Sequence, residues 1–209
     1  AVFVLTDPLY ETGLEGLLGE WGVEVGDDFV IDTSGIGSLF GLDFTIPVVT
    51  AYDGDHPIVR RHRGGVMTFF ELARSVRLDS VAVETIQAAA AILAFTSQAS
   101  WGEVDLSVLR DAGGERTVSL DDNDLPGPVG LAVAVHDTAG EGGRLVVFGD
   151  SDVATARYFD MQGNGDLVLN AISWLVEDES LISIRPREAG YNPIALTAGQ
   201  SDWVFWLTV

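Results

Sequence analysis

The sequence contains no cysteine and no lysine, and all 11 of its basic residues are arginines. The absence of cysteine excludes a thiol nucleophile, a thiolate metal site and any disulfide bond. The 209-residue chain has a formal net charge of -21 and therefore does not offer the basic surface with which proteins neutralise nucleic-acid phosphates. We therefore predict no nucleic-acid partner.

Long apolar runs are also absent, although apolar residues make up 47% of the chain. That share is enough for a full hydrophobic core, and no run reaches the length of a membrane-spanning helix. We predict one domain over residues 1–188. Residues 189–209 end in the charge-free stretch WVFWLTV, which suits either a final edge strand or the aromatic belt at the start of a membrane helix.

The hydrophobic pattern alternates between strand-like and helix-like segments. AVFVL at the N-terminus predicts a buried strand, and residues 129–149 predict a strand, a turn and a second strand. Residues 165–178 show the clearest helical spacing, with Asn164 or Asp166 placed to cap the free backbone N–H groups. Strands separated by helical segments predict an α/β domain of three layers.

The stretch LVVFGDSDVATARYF, residues 145–159, combines a strand end with carboxylates and a hydroxyl. A serine hydrolase would need Ser151 beside a histidine base, and His136 ends the neighbouring predicted strand. Asp150 and Asp152 resemble the aspartate motif of HAD-type phosphatases, which would imply a metal-dependent hydrolase. That family uses a downstream cation to hold the phosphate, whereas this chain contains no lysine and has alanine at position 154. No complete catalytic set or metal site follows from the sequence, so we predict neither catalytic residues nor a cofactor.

A binding role remains for the same residues. In open α/β sheets, ligands bind at the carboxyl ends of the strands. Asp7, Asp150, Ser151 and Asp152 all follow predicted strands, and we expect them to face one ligand crevice. A carbohydrate- or peptide-binding module is therefore an alternative to the hydrolase.

The C-terminal block from Arg144 to Glu188 resembles the auxiliary component of a class of ABC transport systems, the gliding-motility-associated (GldG-like) family. The residues that carry the likeness are Gly149–Asp152, Asn164, Asn170, Ala171, Trp174, Leu175 and Ile182–Pro186. LEGLLGEWGVEVGDDFVID and DGDHPIV, nearer the N-terminus, are similar to the family as well.

The resemblance implies a Rossmann-like fold of the class I glutamine-amidotransferase type with a mostly parallel sheet. It also implies a non-catalytic accessory domain outside the cytoplasm, anchored to the inner membrane beside the permease and ATPase subunits of an ABC transporter. The family usually has more sheet before the first strand seen here. An open sheet edge at that strand would allow two copies to pair as a homodimer.

Overall fold

The computed structural model of the protein describes residues 1–62, 64–109, 118–139 and 142–176. Its strands are β1 (Val2–Leu5), β2 (Val23–Val25), β3 (Phe29–Asp32), β4 (Val48–Val49), β5 (Ala51–Tyr52), β6 (Thr68–Phe69), β7 (Val76–Leu78), β8 (Ala88–Phe95), β9 (Ser100–Glu103), β10 (Leu125–Pro126), β11 (Gly130–Asp137) and β12 (Arg144–Phe148). Its α-helices are α1 (Glu15–Glu20), α2 (Ser80–Thr85) and α3 (Asn164–Leu175). Short 3₁₀ turns lie at Gly37–Phe40, Leu106–Leu109 and Asp152–Ala154.

The largest sheet has five strands in the order β1-β12-β11-β8-β5. β1 is parallel to β12, with Phe3 opposite Val146. The other pairs in this sheet are antiparallel, including β11 with β12 and β11 with β8. Three smaller antiparallel sheets join β10-β9-β3, β2-β7 and β4-β6.

The predicted three-layer, Rossmann-like fold with a mostly parallel sheet is therefore wrong. The described part of the chain is mostly sheet, its strand pairs are mainly antiparallel, and α1 and α2 have six residues each. The physical reason lies in the connections. A parallel neighbour needs a long crossover, whereas β11 is followed by β12 after only a short connection, and such a connection gives an antiparallel pair.

Alternate residues of β11 and β12 face two different apolar clusters, as the period of a strand requires. Ala132, Ala134, Val146 and Phe148 belong to one cluster, which α3 covers with Leu167, Ala171 and Trp174. Val133, Val135, Leu145 and Val147 belong to the other, which α1 covers with Leu18. Both faces of these strands are buried, which explains why their sequences read as continuous apolar runs.

Helix α3 begins at Asn164, but the side chain of this residue does not cap the helix. Asn164 is fully buried, and its amide oxygen accepts a hydrogen bond from Phe69 N at 2.8 Å. Its amide nitrogen donates to Phe69 O at 2.9 Å. The predicted cap thus joins the helix to β6 instead.

No helix among the described residues is both long enough and apolar enough to cross a bilayer. Residues 177–209 lie outside the described part of the chain, so the predicted domain boundary at residue 188 and the 189–209 tail lie outside it as well.

Candidate functional site

The parallel pairing of β1 with β12 brings the residues that follow both strands to one edge of the sheet. Thr6 N donates to Phe148 O at 3.0 Å and extends the pairing by one residue. Gly149 then passes close to another segment, because Arg74 N donates to Gly149 O at 2.7 Å. A Cβ at Gly149 would lie 2.0 Å from Arg74 O, so only glycine fits there.

Asp7 and Ser151 are bound to each other at this edge. Asp7 Oδ1 accepts a hydrogen bond from Ser151 N at 2.7 Å, and Asp7 Oδ2 accepts one from Ser151 Oγ at 2.7 Å. Both residues are half-buried. The Ser151 hydroxyl therefore uses its single proton on a carboxylate, which orients the group and joins the loop after β12 to the end of β1.

Asp150 is fully buried and binds two backbone N–H groups. Its Oδ1 accepts from Asp152 N at 2.6 Å and its Oδ2 from Glu71 N at 2.8 Å. Burial is the largest cause that raises the pKa of Asp150, to about 8, although the two hydrogen bonds lower it. The negative charges of Asp152 and Asp7 raise it further. Asp150 is thus mainly protonated at neutral pH and acts as a structural support for two loops.

Glu71 is a further member of this site, and no motif in the sequence points to it. It lies 79 positions from Asp150 in the chain, so no local motif connects the two residues. The Glu71 carboxylate pairs with Arg157 at 3.3 Å. Burial raises the pKa of Asp152, and the charges of Glu71 and Asp7 raise it as well, whereas Arg157 lowers it. The edge therefore concentrates negative charge that Arg157 offsets in part.

A cavity of about 380 Å³ opens beside these carboxylates. Its lining consists of Asp7, Pro8, Leu9, Tyr10, Glu71, Leu72, Leu109 and Asp152. Two of the lining leucines have left-handed backbone, with φ of 70° at Leu9 and 50° at Leu72. Bulky residues adopt this conformation rarely, and such strain is concentrated at functional sites.

Leu9 and Tyr10 project from this cavity towards solvent, with 54% and 72% of their surfaces exposed. We call these two residues the Leu9–Tyr10 tip. Arg74, which is 5% exposed, binds the backbone of the tip at Tyr10 O. The Arg74 guanidinium donates hydrogen bonds to Gly26 O, Thr6 Oγ1, Asp7 O, Tyr10 O and Asp27 Oδ1. An exposed apolar tip is thus fixed on a rigid base.

The structure does not bring Ser151 and His136 together. His136 pairs with Arg144 at the start of β12, whereas Ser151 follows the end of that strand. The five residues of β12 put about 13 Å or more between the two positions. The His136 ring lies near Trp174 instead, with ring centroids 6.2 Å apart. Ser151 therefore lacks the histidine base that the hydrolase alternative requires.

The metal-dependent alternative finds no support in the described ranges either. No group of three or more histidine, aspartate and glutamate side chains in them is arranged to hold a metal ion. Asp150, the residue on which that alternative depends, already uses both oxygens to bind backbone N–H groups.

No family model matches the chain, and no curated protein matches it. Among solved structures, the "mmIFT52 N-terminal domain" has a similar fold, with a TM-score of 0.56 and 15% sequence identity. The match covers 83% of this chain and 63% of that one, so this chain spans less than two thirds of the length of its structural neighbour. The likeness shows the fold alone and accords with the correction made above. The GldG-like resemblance stays a prediction.

Proposed function

We propose that the protein is a non-catalytic accessory domain of an ABC-type transport system that acts by protein contact outside the membrane. The transport context rests on the sequence resemblance described above. The contact surface rests on one structural observation. The Leu9–Tyr10 tip is exposed and strained, and it lies between carboxylates on a base fixed by the buried Arg74.

The hydrogen bonds that engage Ser151 and Asp150 at the sheet edge support a binding role. The Ser151 hydroxyl donates to Asp7, and the Asp150 carboxyl is buried and bound to two N–H groups. Each polar group therefore stabilises a loop and leaves no nucleophile activated by a base. An arrangement of this kind preserves the shape of a surface and does not perform chemistry on a substrate.

The tip and its surroundings indicate the chemistry of the partner. Aromatic residues are enriched at the centres of protein interfaces, and complementary charge around the centre guides association. Asp7, Glu71 and Asp152 line the cavity next to Tyr10. We therefore expect a partner that offers an apolar pocket for Tyr10 and basic residues at its rim.

The cavity favours one second candidate, the binding of a peptide. Its described lining contains three carboxylates and no basic residue, so a peptide with an arginine or lysine side chain fits its charge. A peptide of this kind would enter the cavity, whereas a folded partner would cover the Leu9–Tyr10 tip.

Co-purification of the full-length protein with the permease and ATPase subunits tests the proposal. We expect the wild-type protein to retain both subunits and Tyr10→Ser to lose them. Leu39→Ser is the matched control, because Leu39 is 83% exposed and does not line this cavity. Equal recovery of the subunits with Tyr10→Ser and with the wild type would contradict the assigned surface. Failure to recover either subunit with the wild type would contradict the transport role.

A further inference from the structure

A second cavity, of about 430 Å³, lies at the opposite end of the large sheet from Asp150. Its lining consists of Glu20, Trp21, Ile86, Asp137 and Ala139. Asp137 ends β11, and β11 runs antiparallel to β12, so this cavity lies beside the start of β12. The cavity is therefore separate from the Leu9–Tyr10 tip, which follows the other end of the sheet.

Hydrogen bonds to backbone carbonyl groups connect the segments that carry the lining residues of this second cavity. Asp79 N donates to Gly22 O at 2.9 Å and joins the end of α1 to the start of α2. Asp137 N donates to Gly143 O at 2.9 Å and closes the turn beyond β11. Thr138 Oγ1 donates to Gln87 O at 2.5 Å and connects that turn to the end of α2. The cavity is thus formed before any ligand arrives, which lowers the entropic cost of binding.

Trp21 gives this cavity an aromatic wall. The residue is half-buried and packs against the apolar cluster around Leu18. A Cβ at Gly143 would lie 2.7 Å from Cη2 of the indole, so the ring lies where it does because residue 143 is glycine. Ile86 adds a second apolar surface.

The charged residues of the described lining all have the same sign. Glu20 and Asp137 supply carboxylates, and no basic residue is found among the described lining residues. Neither α1 nor α2 has a basic residue in its last turn, although both end at this cavity. An indole next to carboxylates attracts an organic cation, since the ring face is electron-rich and the carboxylates supply a full opposite charge.

We propose that this second cavity binds an alkylated ammonium group. A quaternary ammonium needs no hydrogen-bond acceptor and is held by aromatic surface and negative charge, which are what the lining supplies. A neutral carbohydrate needs hydrogen-bond donors as well as acceptors. The ionised carboxylates of this lining accept hydrogen bonds but cannot donate them. The volume accommodates such a group together with part of the molecule that carries it.

Titration of the isotope-labelled protein with choline, followed by NMR at the Trp21 indole N–H, tests the proposal. The control ligand is 3,3-dimethyl-1-butanol, which has the same shape without the charge. We expect choline to shift the Trp21 signal and to bind about 10-fold or more tightly than the alcohol. Equal affinities, no shift of Trp21, or tighter binding of methyl glucoside than of choline would overturn the proposal.

Variants locate the binding and identify its source. We expect Trp21→Leu to abolish choline binding. We expect the double variant Glu20→Gln, Asp137→Asn to lower the affinity for choline but not the affinity for the alcohol. The double variant keeps the test decisive if Trp21→Leu fails to fold. Unchanged choline binding in a folded Trp21→Leu or in the double variant would overturn the assignment. A peptide with trimethyllysine that binds more tightly than choline supports a protein source, and equal binding supports a small molecule.

Discussion

Two hydrogen bonds between Asp7 and Ser151 connect the residues that follow β1 and β12. Their contribution to the free energy of unfolding can be measured. Hydrogen bonds to a charged group contribute about 1.5–3 kcal/mol each, and Asp7 accepts two. Asp7 is half-buried, so water replaces part of the loss, and its removal relieves repulsion with Asp152. We therefore expect Asp7→Ala to lower the free energy of unfolding by about 2–3 kcal/mol, which is at or below the lower limit of about 3 kcal/mol for two such bonds.

Ser151→Ala removes the hydroxyl and leaves the backbone bond, so its cost is smaller, about 1 kcal/mol. Because both variants remove the same contact between side chains, the double variant is expected to cost about 1 kcal/mol less than the sum of the two. Urea unfolding at neutral pH measures all four proteins. With a slope of about 3 kcal/mol/M, Asp7→Ala shifts the midpoint by roughly 0.7–1 M.

Asp122→Ala is the control for charge alone, because Asp122 is an exposed carboxylate. We expect it to change the stability by less than about 0.5 kcal/mol. Two results would refute this reasoning. One is an equal loss of stability in Asp7→Ala and Asp122→Ala. The other is that the stability losses of Asp7→Ala and Ser151→Ala add within about 0.3 kcal/mol in the double variant.

Three further predictions concern the same edge. Burial raises the pKa of Asp150 to about 8, so the folded state holds its proton more tightly and the stability from Asp150 is lost as pH rises from about 4 to 8. The free energy of unfolding of the wild type minus that of Asp150→Asn, measured with urea, should be larger at pH 5 than at pH 9. A difference that does not change with pH would refute this assignment. Gly149→Ala should prevent folding or lower the stability by about 3 kcal/mol or more, because its Cβ would clash with Arg74 O. The control is Gly16→Ala in α1, whose Cβ would meet no atom within 4 Å. In thermal unfolding, this control should be up to about 1 kcal/mol more stable than the wild type. Arg74→Lys keeps the charge but has fewer donors than the guanidinium, so a loss of about 2–4 kcal/mol is expected, and a change below about 0.5 kcal/mol would show that these bonds contribute little.

Much of the sheet could be predicted from local sequence. The apolar runs that become β11 and β12 are buried on both faces, so their sequences carry a strong signal. The run that becomes β1 is only partly buried, but it packs against both clusters. Helix α3 has one buried face that includes Leu167, Ala171 and Trp174, and its spacing is equally clear. These elements are specified by their own residues.

Strand direction could not be predicted in the same way. β8 contains the run Ala88–Ala91, and alanine by itself favours helix. In the structure Ala91 lies opposite Ala134 of β11, so tertiary pairing outweighs the local preference. The expectation of a mostly parallel sheet came from the family resemblance, and it failed because strands such as β11 and β12 follow one another after a short connection and pair antiparallel.

The sequence indicated four residues of the candidate site but not Glu71. Asp7, Asp150, Ser151 and Asp152 could be named because each directly follows a strand-like run. Glu71 is missing from that set because its contact with Asp150 spans 79 positions and depends on how another segment crosses the sheet edge. The strained backbone at Leu9 and Leu72 has no sequence signal, since leucine normally avoids this conformation.

Photo-cross-linking from residue 10 in cells that make the full-length protein tests the central claim most directly. A photoreactive phenylalanine replaces Tyr10 in one variant and Leu39, which is also exposed, in a second. The proposed function predicts an adduct with an ABC permease or ATPase subunit from position 10 and none from position 39. No adduct with such a subunit from position 10, or equal adducts from both positions, would contradict it.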